Sequence, residues 1–420
     1  MQIQGAASAV RTSRRRDGTS ARRAASRAKG VWRPLLLAWM CAAGMVARAA
    51  GTMTTSFELV DISPPIINTM KKFSDAVLVG DGRVVFCPLN ANAVVVFDPT
   101  DDTFTSVDIS AHINTDMKFW GGALAGDGRV VFAPYNADGV GVFDPTASPE
   151  SSTSFTMVPL PSDPLINVNG KFWGAATLGD GRVVFAPHSA NAVVVFDPTD
   201  DTFTLVDISA KIDMIYKFMG AVVVGDGRVV FAPFNANGVG VFDPTALPES
   251  SFTLVDISTK ISTTYKFDLA ALAGDGRVVF APRNADGVGV FNATAPPESS
   301  FTLVPFVSGD PLIGMTSKFS GAATAQDGRV VFVPYGANGA GVFDPVDDSF
   351  VFVDLSDTKT SAVNFAGATT LGDGRVVFAP LYADSVGVFY PPPGKWCDCC
   401  EASMAKMGLH LGRECVILPP

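Results

Sequence analysis

Histidine is almost absent from this sequence, and the residues typical of metal and nucleophilic catalysis are correspondingly scarce. The 420 residues include three histidines, none with a second histidine or a carboxylate at a spacing typical of metal ligands. The sequence also lacks a Gly-x-Ser-x-Gly elbow and a phosphate-binding loop. We therefore predict no metal or other cofactor and find little support for catalysis, although an enzyme of an unrecognised type stays open.

Positive charge is scarce outside the first 50 residues. Residues 1–50 contain ten Lys or Arg and one acid, a net charge of +9. The whole chain carries −10, so residues 51–420 carry −19. So acidic a body repels phosphate at long range, which argues against nucleic acid as a partner.

An apolar run at residues 35–47 follows the basic stretch, and its 13 residues are short for a membrane span. A small-x-small sequence, Ala47-Arg48-Ala49, ends it. This pattern predicts a targeting segment over residues 1–50 with a signal-peptide-like core. We expect a secreted or extracellular protein. The alternatives are an uncleaved membrane anchor, the one case in which a membrane is a partner, or an organelle lumen.

Cysteine is infrequent and clusters near the C-terminus. Of six cysteines, Cys41 lies in the targeting segment and Cys87 in the first repeat, whereas four lie in a tail at residues 394–420. Two disulfides are expected in this tail if the protein is exported, with a zinc site as the alternative. Asn292-Ala293-Thr294 is the only N-glycosylation sequon, and we expect it on an exposed turn of a glycoprotein.

What the sequence does contain is a repeat. A phrase that begins Asp-Gly-Arg occurs seven times, at Asp81, Asp127, Asp180, Asp226, Asp275, Asp327 and Asp373. Successive copies lie 46 to 53 residues apart. That period is typical of a repeat array such as a propeller.

Every copy except the last has the pattern of four short strands. In the second copy these are residues 118–125, 130–133, 140–143 and 155–158, and an Asp-Gly turn separates the first two. The first strand is rich in Gly and Ala, which suits a crowded axis. The continuous apolar runs of the second and third suit blades covered on both faces.

The strand count predicts how the ring closes. The seventh copy lacks a fourth strand after Phe389, whereas an extra one, residues 56–62, precedes the first copy. We therefore predict an all-β fold over residues 51–393, a seven-bladed β-propeller of four-stranded blades. Its N-terminal strand completes the last blade and removes a sheet edge.

The phrase Asp-Gly-Arg-Val-Val-Phe-Ala-Pro, followed by Val-x-Val-Phe-Asp-Pro, resembles the YVTN and NHL-type propeller repeats and, more loosely, kelch repeats. The resemblance covers residues 56–390. The chain departs from it in the Pro that ends each second strand and in a shorter turn after it. The resemblance implies a binding or scaffold protein in many cases and an enzyme in some, so fold alone does not choose.

Two sets of charged residues are expected to be structural. In five copies the Arg that begins the second strand should face the Asp that ends the third, as in Arg83–Asp98, forming a cross-strand ion pair. In copies five and seven Asn292 and Tyr390 replace this Asp. Asp-rich turns such as Asp98, Asp101 and Asp102 lack the spacing of a calcium loop, so we interpret them as turn chemistry.

A lysine precedes the Phe that opens six of the seven first strands, and Asn364 takes the seventh place. The six are Lys72, Lys118, Lys171, Lys217, Lys266 and Lys318. Ammonium groups around a channel mouth would attract an anion despite repelling one another. Alternatively, the lysine stems cover the adjacent Phe rings and the charges reach solvent.

One position after the strand-two Pro varies while its surroundings hardly change. It is occupied by Leu89, Tyr135, His188, Phe234, Arg283, Tyr335 and Leu381. Aromatic and Arg side chains are frequent binding anchors, and a rigid scaffold presents this turn. The alternative is drift at a tolerant loop position.

These features predict a non-enzymatic, monomeric propeller that binds an unknown protein or ligand on the face bearing the lysines and these turns. The expected ligand-binding residues are the six lysines with Tyr135, His188, Phe234, Arg283 and Tyr335, and no catalytic residue is assigned. The alternative is an enzyme that binds a small anion or a sugar phosphate at the channel mouth. A repeat protein without a strongly selected ligand is the third possibility.

Overall fold

In the computed structural model, seven blades surround a central channel, which confirms the predicted seven-bladed β-propeller. The structure describes residues 57–62, 69–357 and 365–392. These residues form seven four-stranded antiparallel sheets. In each sheet, strand one lies next to the channel and strand four lies at the outer rim.

The strands recur in the same order in every blade. The first strands are Phe73–Leu78 (β2), Phe119–Leu124 (β6), Phe172–Thr177 (β10), Phe218–Val223 (β14), Phe267–Leu272 (β18), Phe319–Thr324 (β22) and Phe365–Thr370 (β26). The second strands are Val84–Pro88 (β3), Val130–Pro134 (β7), Val183–Pro187 (β11), Val229–Pro233 (β15), Val278–Pro282 (β19), Val330–Pro334 (β23) and Val376–Pro380 (β27).

The outer half of each blade is equally regular. The third strands are Ala93–Asp98 (β4), Gly139–Phe143 (β8), Ala192–Asp197 (β12), Gly238–Phe242 (β16), Gly287–Phe291 (β20), Gly339–Asp344 (β24) and Ser385–Phe389 (β28). The fourth strands are Thr103–Asp108 (β5), Phe155–Pro159 (β9), Thr202–Asp207 (β13), Phe252–Asp256 (β17), Phe301–Pro305 (β21), Ser349–Asp354 (β25) and Phe57–Asp61 (β1). Two one-turn helices, Pro248–Ser251 (α1) and Pro297–Ser300 (α2), precede the fourth strands of blades 4 and 5.

The hydrophobic core lies between blades. Every residue of β3 is buried, as in all the second strands, because a neighbouring blade covers each face. Seven apolar clusters result, one at each boundary between blades. Within a blade, Phe rings of successive strands pack together, as in Phe73 and Phe86, whose centroids lie 5.5 Å apart.

The N-terminal strand closes the ring as predicted. β1 pairs antiparallel with β28, from Phe57 opposite Phe389 to Asp61 opposite Ser385. The ring of Phe57 is buried and packs 5.9 Å from Phe365. The last blade thus takes its outer strand from the other end of the fold, so its edge is not left open.

None of the five predicted cross-strand Arg–Asp ion pairs forms, because each Arg pairs with the Asp of its own Asp-Gly-Arg phrase. Arg83 Nε donates to Asp81 Oδ2 at 2.8 Å, and its Nη2 donates to the carbonyl of Pro145 in the next blade at 2.7 Å. Asp98 instead accepts from the hydroxyl of Thr100 at 2.6 Å, which is the expected turn chemistry. The prediction was wrong because an acid two residues away in the same turn is a nearer partner than one on another strand.

These arginines also link the blades. Five of the seven donate to a carbonyl in the turn between strands three and four of the next blade, and Arg329 donates to the carbonyl of Pro392, just after β28. The bond from Arg375 to Pro99, at 3.0 Å, joins blade 7 to blade 1. The repeated Arg therefore helps to hold the ring.

Several predictions fall on other parts of the chain. The targeting segment, the tail at 394–420 and Asn364 lie outside the described residues. Cys87 is a buried free thiol. Asn292 lies in a turn, where its Oδ1 accepts from the amide of Thr294 at 3.0 Å. In the described part of the chain, no helix has the length and hydropathy of a membrane span.

Candidate functional site

Two sets of connections share one face of the ring, which we call the front face. They are the turns between strands two and three and the connections from strand four to strand one of the next blade. The back face carries the Asp-Gly-Arg turns and the turns between strands three and four. All eleven predicted ligand-binding residues lie in or beside the front-face connections.

The six predicted lysines are buried between blades. Each ammonium group donates to a carbonyl in the strand-two-to-three turn of the preceding blade. The bonds run from Lys72 to Ala383 (3.1 Å), Lys118 to Asn90 (3.1 Å), Lys171 to Asn136 (3.4 Å), Lys217 to Ser189 (3.3 Å), Lys266 to Asn235 (3.2 Å) and Lys318 to Ala285 (3.1 Å). On this geometry the lysines tie each inner strand to the blade before it.

Three of these lysines also meet a carboxylate, and three do not. Lys72, Lys171 and Lys318 lie 2.8, 3.7 and 3.3 Å from an Asp at the end of the turn. At the corresponding turn position for Lys118, Lys217 and Lys266 the sequence has Asn92, Asn191 and Asn237. Three of the buried ammonium groups therefore pair with a turn carboxylate, whereas the charges of Asp116 and Asp213 act on Lys118 and Lys217 without an ion pair, and no carboxylate among the described residues acts on Lys266.

Neither expectation for the lysine ring describes what the structure shows. The ammonium groups do not surround an open mouth, and they do not extend into bulk solvent. Burial lowers the pKa of Lys118 and of Lys217 to about 8. The pKa values of Lys171, Lys266 and Lys318 are lowered for the same reason. Contact between any of these lysines and a ligand stays a prediction.

The channel narrows where the first strands bulge. A Cβ on Gly121 would lie 2.6 Å from the Cα of Gly174, and one on Gly174 would lie 2.7 Å from the Cα of Gly220. Neighbouring inner strands therefore touch backbone to backbone, and both Gly121 and Gly174 have positive φ. The equivalent residue in blade 1 is Asp75, whose carboxylate lies against Gly367.

Two acids occupy this narrow part of the channel. Burial raises the pKa of Asp75 to about 7, although amides of Ala76 and Gly122 favour its ionised form. The charge of Asp268 acts on Asp75 in the same direction as burial. Burial also raises the pKa of Asp268, against the opposing effect of Arg283.

Arg283 is held between that acid and two aromatic rings. Its Nη1 donates to Asp268 Oδ2 at 2.5 Å. Its Cζ lies 5.0 Å from the ring centroid of Tyr335 and 5.8 Å from that of Phe234. The other carboxylate oxygen of Asp268 is buried without a hydrogen-bond partner in the described part of the chain.

The five predicted anchor residues form one continuous arc over blades 2 to 6. Ring centroids lie 6.0 Å apart for Tyr135 and His188 and 5.9 Å apart for His188 and Phe234, and Arg283 then bridges Phe234 to Tyr335. The structure thus brings together residues spread over 200 positions of sequence. Phe234 and His188 are buried, so they form the floor of the front face rather than its outer surface.

His188 is a neutral member of this floor. A carbonyl can only accept, so the 3.0 Å contact between His188 Nδ1 and Phe218 O places the proton on Nδ1. Burial lowers the pKa of His188 to about 4, and the charge of Lys217 contributes to the same shift. His188 therefore stays uncharged at neutral pH.

Two tryptophans extend the floor toward the channel. The rings of Trp120 and Trp173 stack with centroids 3.4 Å apart, and Trp173 lies 5.0 Å from His188. They occupy the second position of strand one in adjacent blades, which the sequence analysis did not single out. The indole Nε1 of Trp173 is buried without a hydrogen-bond partner among the described residues.

Above this floor lies an exposed surface that the sequence analysis missed. Ile215, Tyr216 and Tyr265, which we call the aromatic patch, lie in the connections that enter blades 4 and 5. The ring centroids of Tyr216 and His188 lie 5.0 Å apart and those of Tyr265 and Phe234 lie 4.6 Å apart, with the rings of each pair tilted. Their side chains are 37% and 41% exposed. The patch is thus a solvent-facing layer supported by the aromatic floor.

Tyr216 and Tyr265 adopt a backbone conformation that L-residues rarely accept. Their φ values are +60° and +53°, and the residues directly before the other four lysines, Lys71, Met117, Gly170 and Ser317, also have positive φ, from +53° to +65°. Glycine accepts this conformation without strain, whereas a bulky side chain does not. The two tyrosines could have been found in the sequence only by aligning the residue that directly precedes each lysine.

The back end of the channel has a different character. A cavity of about 390 Å³ opens there, lined by small residues at the ends of the first strands of blades 3 to 7, such as Ala176, Thr177, Ala322 and Thr370. Thr177 Oγ1 donates to Leu124 O at 2.6 Å, and Thr370 makes the equivalent bond to Thr324 O at 2.8 Å. In the described part of the chain, no group of three or more His, Cys, Asp or Glu could share a metal ion.

Comparison with known proteins identifies the fold alone. No protein-family model and no curated protein matches the chain. Among solved structures, a streptogramin B lyase is similar with a TM-score of 0.63 and 18% identity over 81% of this chain and 99% of its own.

Two other similar structures come from proteins of different kinds. The extracellular domain of a hybrid two-component system from B. thetaiotaomicron gives a TM-score of 0.59 at 14% identity, covering 80% of this chain and 41% of its own. YCF48 bound to D1 peptide gives 0.57 at 10% identity, covering 83% and 100%. These neighbours are β-propellers of varied function, and the YVTN and NHL-type family remains a resemblance.

Proposed function

We propose that this protein is a non-enzymatic propeller scaffold that binds a protein partner on its front face, through the aromatic patch and the arc beneath it. One observation carries the proposal. Eleven large hydrophobic side chains are exposed in the described part of the chain, and eight of them lie in front-face connections between blades. The eight are Met70, Val168, Met214, Ile215, Tyr216, Tyr265, Val307 and Ile313.

Exposed apolar surface concentrated on one face is typical of an interaction site. Four of the eight residues, from Met214 to Tyr265, lie in only two adjacent connections. Tyr216 and Tyr265 rest on buried rings, so little side-chain freedom remains to be lost on binding. Rigid aromatic residues of this kind are the usual anchors of protein interfaces.

The second reading, a small-anion or sugar-phosphate enzyme at the channel mouth, has weaker support. Its main basis was the lysine ring, and those ammonium groups already donate to turn carbonyls. In our proposal the six lysines position the front-face turns, and the ligand-contacting roles pass to Tyr135, Arg283 and Tyr335 together with the aromatic patch.

A location outside the cytoplasm is part of the proposal. It rests on the basic and apolar pattern of residues 1–50 and on the sequon at Asn292. That a similar propeller forms an extracellular domain is compatible with it.

The proposal is tested with two matched variants of the full chain. In the first, Ile215→Ser, Tyr216→Ala and Tyr265→Ala remove the aromatic patch. In the second, Leu247→Ser and Val346→Ser remove two exposed apolar residues outside the front face, which are 68% and 91% exposed. Proteins retained by each purified variant from extracellular material of the source cells are compared by quantitative mass spectrometry.

We expect a discrete protein that wild type and the second variant retain and the first variant loses by at least about tenfold. Circular dichroism and urea unfolding check that all three proteins fold alike. Equal retention by both variants would contradict the proposal, and so would selective loss with the second. Activity of the wild type on sugar phosphates, abolished by Lys118→Met, would favour the enzymatic reading.

A further inference from the structure

The cavity at the back end of the channel, which we call the back cavity, is lined by uncharged side chains. Its volume of about 390 Å³ lies within the range of small-molecule sites, roughly 300–1,000 Å³. Its walls are residues near the ends of the inner strands of blades 3 to 7, and all are alanine, valine, leucine or threonine. A slender aliphatic chain therefore suits this interior.

The threonines of the wall offer hydrogen-bond acceptors. Thr177, Thr324 and Thr370 donate their hydroxyl hydrogens to carbonyls of neighbouring inner strands, at 2.6, 2.7 and 2.8 Å. A hydroxyl whose hydrogen is used in this way can still accept through its oxygen but has no hydrogen left to donate. Three of the four threonines that line the back cavity therefore favour a ligand that donates.

A carboxylate lies at the inner end of the back cavity. Asp75 Oδ1 accepts from the amide of Ala76 at 2.9 Å, and the amide of Gly122 also donates to this carboxylate. Ala76 and Gly122 are the fourth residues of β2 and β6, and the fourth residues of β14, β18, β22 and β26 line the cavity. The carboxylate is therefore at the level where the cavity begins, on the side of the channel formed by blades 1 and 2.

This carboxylate is accessible from the channel and has no positive partner. Asp75 is only half-buried, although it lies within the ring of inner strands, so its accessible surface faces the channel. Among the described residues, the charge that acts on Asp75 is that of Asp268, which is also an acid. The two amide bonds leave about half of the acceptor positions of a carboxylate unused. Asp75 therefore has room for a positively charged donor.

The charge of the back face acts in the same direction. The seven Asp and seven Arg of the Asp-Gly-Arg phrases cancel one another there. The described turns between strands three and four add fourteen acids and no Lys or Arg, whereas all nine described lysines belong to front-face connections. Charge of one sign around a cleft raises the local concentration of ions of the opposite sign. Cations are therefore concentrated at the mouth of the back cavity.

We propose that the back cavity binds a primary alkylammonium group, with the ammonium at Asp75 and the alkyl chain along the alanine wall. This site lies on the face opposite the aromatic patch and goes beyond the proposed function. An ammonium donates three hydrogen bonds and accepts none, which matches a carboxylate and hydroxyl oxygens. From the sixth to the fourth residue an inner strand rises about 7 Å, a distance that an extended chain of about five carbons covers.

The test is isothermal titration calorimetry of the purified full chain at pH 8 and low salt. The first two probes are n-pentylamine, which is protonated at this pH, and 1-pentanol, which has the same alkyl chain without the charge. Potassium chloride and calcium chloride test inorganic cations. The peptide Gly-Lys-Gly with blocked termini tests whether the ammonium can belong to a protein lysine.

Three single variants and one double variant are compared with wild type. Asp75→Asn removes the carboxylate charge, and Ala322→Leu fills the cavity. Asp102→Asn is the matched control, because it removes one exposed charge from the back face at a positive φ that Asn accepts. Tyr216→Ala with Tyr265→Ala removes the two tyrosines of the aromatic patch and separates this site from the proposed function.

We expect n-pentylamine to bind wild type, Asp102→Asn and the double-tyrosine variant with similar affinity. Asp75→Asn and Ala322→Leu should each weaken binding at least about tenfold, and 1-pentanol should bind wild type at least about tenfold more weakly than the amine. Binding of the peptide with the same dependence on Asp75 assigns the ammonium to a protein lysine, whereas binding of n-pentylamine alone assigns it to a free amine. Either result supports the proposal.

The affinity should also depend on pH. Burial raises the pKa of Asp75 to about 7, so at pH 5.5 its carboxyl is protonated, whereas the amine keeps its charge. Asp268 is the other acid near Asp75, and Cys87 stays a neutral thiol because burial raises its pKa. We expect weaker binding at pH 5.5 than at pH 8 in wild type, and a much smaller change in Asp75→Asn.

Four results would overturn the proposal. They are equal binding by wild type and Asp75→Asn, equal affinity for 1-pentanol and the amine, no binding of either amine probe, and Asp75-dependent binding of potassium or calcium without a preference for the alkyl chain. The last would assign Asp75 to an inorganic cation. Urea unfolding shows whether each variant folds, and Ala322→Leu decides the outcome if Asp75→Asn does not.

Discussion

The substitution Asn237→Asp tests whether a carboxylate beside Lys266 stabilises the fold. Asn237 Oδ1 lies 3.5 Å from the buried ammonium group of Lys266. In three other blades the same position is Asp, and the carboxylate lies 2.8 to 3.7 Å from the corresponding lysine. The change is nearly isosteric and adds one charge that the fold already accommodates elsewhere.

The expected gain follows from the geometry. Two unit charges 3.5 Å apart attract by about 1 kcal/mol at the dielectric of water. The three natural carboxylates are 84%, 100% and 50% exposed, so solvent screens them strongly even though the lysines are buried. We therefore expect Asn237→Asp to raise the free energy of unfolding by about 0.5–1 kcal/mol at neutral pH and low salt.

The measurement is equilibrium unfolding of the full chain in urea at low salt and at about 1 M salt, where the Debye length falls to about 3 Å. The midpoint should rise for Asn237→Asp at low salt, and most of the rise should vanish at high salt. The reverse variant, Asp384→Asn beside Lys72, should lower the midpoint by a similar amount. An unchanged or lower midpoint for Asn237→Asp would refute the view that Lys266 lacks charge compensation.

Three further predictions concern the ring itself, and all are measured by urea unfolding. The pKa of Asp75 is raised to about 7, so between pH 7 and 4 the folded chain takes up a proton that the unfolded chain does not, and this uptake adds stability as the pH falls. Asp75→Asn should remove that gain, so that the variant loses on the order of 3 kcal/mol relative to wild type between pH 7 and 4, and parallel pH profiles would contradict it. Gly367→Ala should cost at least about 2 kcal/mol because its Cβ would lie 2.6 Å from the Cα of Asp75 at a φ of +58°, whereas Gly372→Ala, with open space around it, should be nearly neutral. Phe57→Ala should cost about 3–5 kcal/mol by removing the buried ring that packs β1 against Phe365, and a cost below about 1 kcal/mol would show that this strand is not needed for closure.

The propeller fold was predictable because the same strand and turn pattern occurs in seven copies. Each copy contains turn residues and apolar runs of strand length. A strand that is ambiguous in one copy can therefore be assigned from the other six. The sequence has an extra strand at residues 56–62 and lacks a fourth strand after Phe389. Only one way of closing the ring pairs the extra strand with the last blade, and β1 does pair with β28.

The wrong predictions concern side chains that cross between blades. Sequence pairing placed Arg83 opposite Asp98, but the side chain of Arg83 turns back to Asp81 and reaches on to Pro145. Whether Lys72 and its equivalents are buried also depends on the distance between neighbouring blades. That spacing is set by packing around the ring and has no local signature.

The candidate site was predictable in part. The variable turn position led to Tyr135, His188 and Phe234, which the structure joins into one arc. Tyr216 and Tyr265 were missed because they lie in connections of variable length, where the alignment of repeats is weakest. Only the neighbouring lysine, present in six blades, marks their position.

Repeated residues hold the ring, and we propose that the aromatic patch binds a partner. The most direct test places a photo-crosslinking phenylalanine analogue at Tyr265 in one version of the full chain and at Val346, outside the front face, in another. After irradiation in extracellular material from the source cells, we predict a discrete covalent adduct from position 265 and none from position 346. An adduct from position 346 alone, or equal adducts from both, would contradict the account.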